Sequence, residues 1–257
     1  MLYIKMTGVH LKSQMQYRLS FFLTTLGQFI TSFTAFFGIS FMFSRFHAVE
    51  GFTYEEVLLC FSVVVMAFSL GEMAGGGFAA FPSMIGNGEF DRALVRPRSL
   101  LMQVLAPKMD FTRLGLLLQA VLVLCYAVPK SGVAWTWGKA LTLCTMILSG
   151  SILFFSLFLI YAACAFFTLE GLEFFNFFTY GGRKFGNYPF SIYGKNALFF
   201  LTFVIPLALF QYYPLLYLLD REQSALFALL PLVGMLFLAP SYALFRLGLR
   251  HYKSTGS

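Results

Sequence analysis

The sequence predicts an all-α polytopic membrane protein of about six transmembrane helices. Composition is the first reason. Hydrophobic residues make up 59% of the 257-residue chain, aromatic residues 19% and charged residues 11%, against roughly 25% charged in an ordinary soluble domain. The second is run length: several apolar stretches reach the roughly 20 residues that span a hydrocarbon core about 30 Å thick. The third is that short charged stretches separate these runs.

Residues 1–18 place Ile4, Leu11 and Met15, with Leu19 just beyond, roughly on one helical face with Lys5, Lys12 and Arg18 elsewhere, the pattern of a cytoplasmic helix lying on a membrane surface. A basic, frayed lead-in is the alternative. The apolar run that follows is longer than the core of a signal peptide, so it is expected to stay attached as span 1, residues 19–43. A loop with Arg45, His47, Glu50, Glu55 and Glu56 leads to span 2 at 57–77, and the most polar stretch occupies 81–113. Span 3 runs to about 128 and span 4 covers 139–167. Trp135 and Trp137 between them suit a membrane interface. The last span is 225–245. The transmembrane domain as a whole covers 19–250, and a cytoplasmic tail covers 251–257.

Residues 168–219 admit two arrangements. In one, 168–195 is cytoplasmic and 197–219 crosses as span 5. In the other, 168–188 crosses and the run broken by Pro206 and Pro214 is a re-entrant hairpin, which is tolerable only where protein covers its backbone. Basic residues orient either version. Lys5, Lys12, Arg18, Arg92, Arg96, Arg98, Lys108, Arg113, Arg246, Arg250 and Lys253 fall on one side, against Arg45, Lys130, Lys139 and Arg221 on the other. Both termini are therefore expected in the cytoplasm.

The net charge of +7 is scattered among loops instead of concentrated on one face, which argues against a nucleic-acid partner. Cys60, Cys125, Cys144 and Cys164 lie within apolar runs without CxxC spacing or nearby histidines, so buried reduced thiols are expected, and neither a disulfide nor a metal site. No phosphate-loop, HExxH or GxSxG pattern occurs. The chain is not expected to be an enzyme or to bind a cofactor.

Gly71 and Gly75 form a GxxxG pair, which brings helix backbones together in lipid. Glu72, inside span 2, is a candidate pathway residue because a buried ionisable group costs several kcal/mol unless it is paired or wet. The alternative is a Glu72 paired with a loop arginine. In Gly86 to Leu100, Phe90 and Leu94 share a helical face amid Glu89, Asp91, Arg92, Arg96 and Arg98, and Pro97 closes the helix. Such a short amphipathic helix between two spans is shaped to dock on a cytoplasmic partner; a merely solvated loop is the alternative.

Gly88-Glu89-Phe90-Asp91-Arg92-Ala93-Leu94-Val95-Arg96-Pro97 resembles the loop after span 2 in ABC transporter permeases of the type 2 integral membrane class, notably a bacterial subgroup of largely uncharacterised transport permeases. Tyr188-Pro189-Phe190-Ser191-Ile192-Tyr193, then Ile205-Pro206 and Tyr213-Pro214, is similar to the subgroup's second signature, with Gly194 where proline is common. The resemblance covers essentially the whole chain. It implies a permease of an ATP-driven exporter of the type V kind in the plasma membrane. The interfacial helix, a coupling helix within about 81–108 and a re-entrant hairpin shaped by Pro189, Tyr193, Pro206 and Pro214 belong to that pattern. Phe90, Asp91, Arg92, Leu94, Arg96 and Pro97 would meet the ATPase. The resemblance further implies two copies of a cytoplasmic ATPase carrying ATP and Mg, and a second permease, homologous or identical. A self-contained secondary carrier or channel is the rival, with Glu72, Glu170, Glu173, Arg183 and Lys184 lining an ion path; the absence of an evident inverted repeat weighs against it.

Overall fold

The computed structural model describes residues 8–9, 11–97, 99–105, 109–168 and 173–252. Residues 1–7 and 10 of the surface helix expected at 1–18, together with Arg98, Lys108, Glu170 and the tail from 253, lie outside the described residues. Where described, that first segment is helical from Leu11 and enters span 1 through a 3-10 turn, Met15–Tyr17.

Helix α1 is Arg18–Arg45. Helix α2, Tyr54–Gly75, starts on a capping box in which Thr53 and Glu56 exchange side-chain and backbone hydrogen bonds, satisfying donors that a helix start leaves open. It continues through a 3-10 turn, Gly76–Ala80, into Phe81–Gly86, so the helix outlasts the expected span 2 by about two and a half turns. Burial of Phe78 and Phe81 carries it on. The short α3, Glu89–Leu94, follows, then α4, Leu114–Lys130, which includes Pro129 in its last turn, and α5, Trp137–Cys164.

Helix α2 is apolar all round and forms the buried axis of the bundle, packed on α4 and α5. Helix α1 lies at the periphery, held to α4 where Gly115 lets the Thr25 and Phe29 backbones approach. Cys60 is buried, but Cys125 and Cys144 are exposed on the outer surface of α4 and α5, because their helix faces look away from the axis; the four thiols are free.

Two ends of the bundle are marked by side-chain contacts. At one, Arg221 pairs with Glu56 at 2.6 Å and Lys139 with Asp220 at 2.6 Å. At the other, Phe90, Phe166, Phe245 and Tyr252 form one aromatic cluster. The chain therefore crosses once, net, between residues 168 and 219. Helix α6 comprises Glu173–Asn176, a π-turn Phe177–Gly181 and Gly182–Phe185. It climbs past Phe68 and Phe158, on which Tyr180 packs, to Gly186 against Val64. Helix α7, Lys195–Phe203, turns back so that Phe200 stacks on Phe178, and α8, Leu207–Leu218, leaves at 113° to it and returns to Asp220. These contacts follow the path of the second arrangement considered above: α6 rises beside α2, and α7 and α8 form a bent pair that ends at Asp220, at the Glu56 end.

Gly194, which opens α7, adopts φ 84° and ψ 169°. Proline, locked near φ −65°, cannot occupy it, so the departure from the subgroup signature is built into the backbone. The last span consists of α9, Ala225–Met235, and α10, Leu238–His251.

Candidate functional site

Two neighbouring features carry the polar chemistry of the bundle: a buried charge cluster on α2, and α3 at the aromatic end. Gly71 and Gly75, on either side of Glu72 in sequence, seat α2 on α5. A Cβ at Gly71 would lie 2.8 Å from Phe154 Cβ and from the Ser151 carbonyl, and one at Gly75 would lie 3.1 Å from the Phe155 ring. The surface these glycines face is α5 of the same chain.

Glu72, between them in sequence, is 1% exposed. Its Oε1 lies 3.0 Å from Arg113 Nη2, and Arg113 Nε lies 3.3 Å from Asp110 Oδ2. Asp110 is itself held by Thr112, whose backbone N–H and hydroxyl donate to Oδ1 at 3.0 and 2.6 Å, capping the turn that starts α4. The Tyr180 hydroxyl and the Arg183 guanidinium, both on α6, face the same carboxylate, and Arg183 stacks 5.2 Å above the Phe68 ring. Two acids and two arginines thus balance in charge. They tie three segments together: α2, the end of the 86–113 loop, and α6 at its π-turn. Glu72 is accordingly a paired residue, joined to the arginine that closes the polar loop. π-turns inside helices recur at functional sites, and this one sets Tyr180 against Glu72.

Helix α3 begins at Gly88, whose φ of 69° favours glycine, and it splits its residues between inside and outside. Phe90 is wholly buried, with its ring 5.1 Å from Phe81, 5.5 Å from Phe166 and 5.0 Å from Tyr252. Leu94 is exposed. The shared docking face expected for these two does not form, because aromatic rings from three other segments claim Phe90. Phe90 anchors α3 instead of offering itself to a partner. Asp91 accepts a 3.0 Å hydrogen bond from the Tyr252 hydroxyl; burial first, and then this carboxylate, raise the Tyr252 phenol above its ordinary pKa. Gln103 Nε2 donates to the Ala93 carbonyl at 3.1 Å and holds the far end of α3. Arg92, Leu94, Val95, Arg96 and Pro97 point outward, Val95 at 83% exposure.

The hairpin prolines divide their roles. Pro189 is buried and bounds the turn Phe190–Tyr193, where the Tyr193 hydroxyl donates to the Phe185 carbonyl at 2.9 Å. Pro206 sits at the bend before α8, and Pro214 lies within α8, buried. Gln211, which the sequence reading passed over, pins the hairpin: its Nε2 contacts Cys60 Sγ at 2.6 Å and donates to the Tyr188 carbonyl at 2.8 Å. A lone amide between two prolines in an apolar run was the available signal. The loop arginine weighed as a partner for Glu72 is Arg113; nothing local marks Tyr180 as its other neighbour.

Residues 29–256 match the family model described as ABC-2 family transporter protein. No curated protein and no solved structure matches the chain.

Proposed function

The chain belongs to the ABC-2 transporter family, and we propose that it is the permease subunit of an ATP-driven exporter in a bacterial plasma membrane, coupled to a separate ATPase through α3. As a family member it is a transport subunit of the membrane, not itself catalytic. The observation that carries the coupling role is the division of α3. Its outward residues, Arg92, Leu94, Val95, Arg96 and Pro97, mix apolar and cationic groups at one end of the bundle, while Phe90 roots the helix among Phe81, Phe166 and Tyr252. A push on the outer face is delivered to the ends of α2, α5 and α10 together, since tightly packed interiors transmit strain.

A second route leads inward. The loop from α3 ends at Asp110 and Arg113, and Arg113 holds Glu72 and so bears on α6. Closure of an ATPase dimer on bound ATP and Mg would shift α3, and the Glu72 cluster would pass that shift to α6 and the hairpin beside it. The cationic residues at the α3 end, including Lys12, Arg18, Arg92, Arg96, Arg246 and Arg250, support an orientation with that end and both termini in the cytoplasm, under the positive-inside rule. The assembly would hold two ATPase copies and a second permease, identical or homologous, with the substrate path between the permeases.

Affinity purification of the tagged chain from its own host in mild detergent, with mass spectrometry of what accompanies it, tests this. The expected companions are an ATPase bearing a phosphate loop and, in a heteromeric assembly, a related permease. Recovery of a stable chain alone, with transport driven by a proton gradient in ATP-free vesicles, would favour the carrier reading.

A further inference from the structure

Helix α6 changes pitch in mid-course. Glu173–Asn176 and Gly182–Phe185 are α-helical, and Phe177–Gly181 between them is a π-turn, which holds more residues than an α-turn needs. The turn is not locked from within. Gly181 and Gly182 stand at its end, residues free to take another backbone conformation. The buried Thr179 hydroxyl divides itself between the Phe175 and Asn176 carbonyls at 3.4 Å each, beyond the roughly 2.5 to 3.0 Å usual for a hydroxyl donor. The hold comes from outside: the Tyr180 hydroxyl is turned toward Glu72, which Arg113 grips at 3.0 Å, and the Tyr180 ring packs on Phe68 and Phe158.

The two flanks of the turn are unequally anchored. After it, Gly186 seats on Val64, and Gln211 donates to the Gly186 and Tyr188 carbonyls. Before it, Glu173, Phe174 and Asn176 are exposed. A change of register is therefore taken up by the leading flank, and room for it already exists. A cavity of about 250 Å³ lies between α6 and α7, lined by Phe178, Gly182, Phe185, Phe200 and Leu207 among others. In a regular α-helix Phe178 shares a face with Gly182 and Phe185, four and seven positions on. An engineered apolar cavity of about 150 Å³ binds benzene, so this one has space for a phenyl ring.

We propose that α6 is a helix of two registers. In the π register, the Glu72 cluster holds Tyr180, and Phe178 stacks on Phe200. In the α register, Tyr180 has left the cluster, the Phe178 ring fills the cavity, and Glu173–Phe177 turns by about 100°, one residue's share of a turn. Packed elements of this kind switch between discrete arrangements instead of deforming continuously. The switch deepens the inward route proposed above, for it gives the Glu72 cluster something to move, yet it is built from contacts within this chain.

The test uses the full chain, with any companions that co-purify, in lipid nanodiscs without ATP, carrying para-fluorophenylalanine at position 178 or, separately, at position 174. Fluorine relaxation dispersion covers the microsecond-to-millisecond range of helix register shifts. Tyr180→Phe keeps the ring and removes the hydroxyl. It should raise the minor population about tenfold, the order set by one hydrogen bond to a charged group, with the same populations and rates at both positions. Ala197→Phe places a ring in the cavity and should abolish the exchange; Ala197→Leu serves if the larger side chain prevents folding. No exchange at either position in Tyr180→Phe, exchange at 178 without a matching process at 174, or exchange that survives filling of the cavity would each overturn the proposal. Neither ATP nor a partner enters the measurement, so such a failure leaves the docking of an ATPase on α3 standing.

Discussion

Replacing Arg113 with Met isolates the energy stored in the cluster around Glu72. The carboxylate side chain is 2% exposed and the guanidinium 20%, at 3.0 Å. At an effective dielectric constant of about 20, unit charges at that separation attract by about 5.5 kcal/mol. Desolvation offsets much of this in the intact pair, but removing one partner strands the other, at a cost of about 3 to 5 kcal/mol. Arg113→Met should therefore lose about that much stability. Glu72→Gln should lose less, because Arg113 keeps Asp110 at 3.3 Å and some solvent. The double variant should recover part of the loss, since the two groups that face each other are removed together, while Arg183 and Asp110 each lose a partner. Unfolding titrated with an anionic detergent in mixed micelles, read from Trp135 and Trp137 fluorescence, measures all three. Single losses that simply add in the double variant would show that the two groups do not hold each other, and the inward route from the 86–113 loop would fall with them.

Two further expectations concern packing. Gly115→Ala should cost about 1 to 3 kcal/mol as overpacking, because the added methyl meets the Thr25 and Phe29 backbones; an unchanged unfolding midpoint would show that α1 does not pack there. In a chain with Cys125→Ser, Cys144→Ser and Cys164→Ser, the buried Cys60 should resist maleimide. Adding Gln211→Ala should expose it, because the amide that clamps Cys60 to Tyr188 is gone. Labelling that stays slow would mean that the hairpin is held by other contacts.

Spans 1 to 4 and the last span were legible because each is a local apolar run, and a run of that length has few other destinations. The contrast at 168–219 is instructive. Arg183 and Lys184 made α6 look like a loop, and only Glu72 and Phe68, more than 100 positions away, explain an arginine there. Phe90 was misplaced for the same reason. Local periodicity puts it beside Leu94, while its burial depends on Phe166 and Tyr252, which no short window contains. Glu72 was visible as an anomaly in an apolar helix, yet its partner lay across the polar loop. Pro231 lies within α9, and Ser149 donates to its carbonyl at 2.6 Å to hold that helix on α5, a contact between segments 82 positions apart.

Photo-crosslinking from α3 in the native membrane tests the central claim most directly, with a photoreactive residue placed at position 95 or, separately, at position 90. Val95 is 83% exposed and Phe90 is buried. Position 95 should yield an adduct with an ATPase subunit, and position 90 should yield only links within this chain. An adduct from position 90, or none from position 95 in cells where the protein is active in transport, would contradict the account of α3 as the surface on which the ATPase acts.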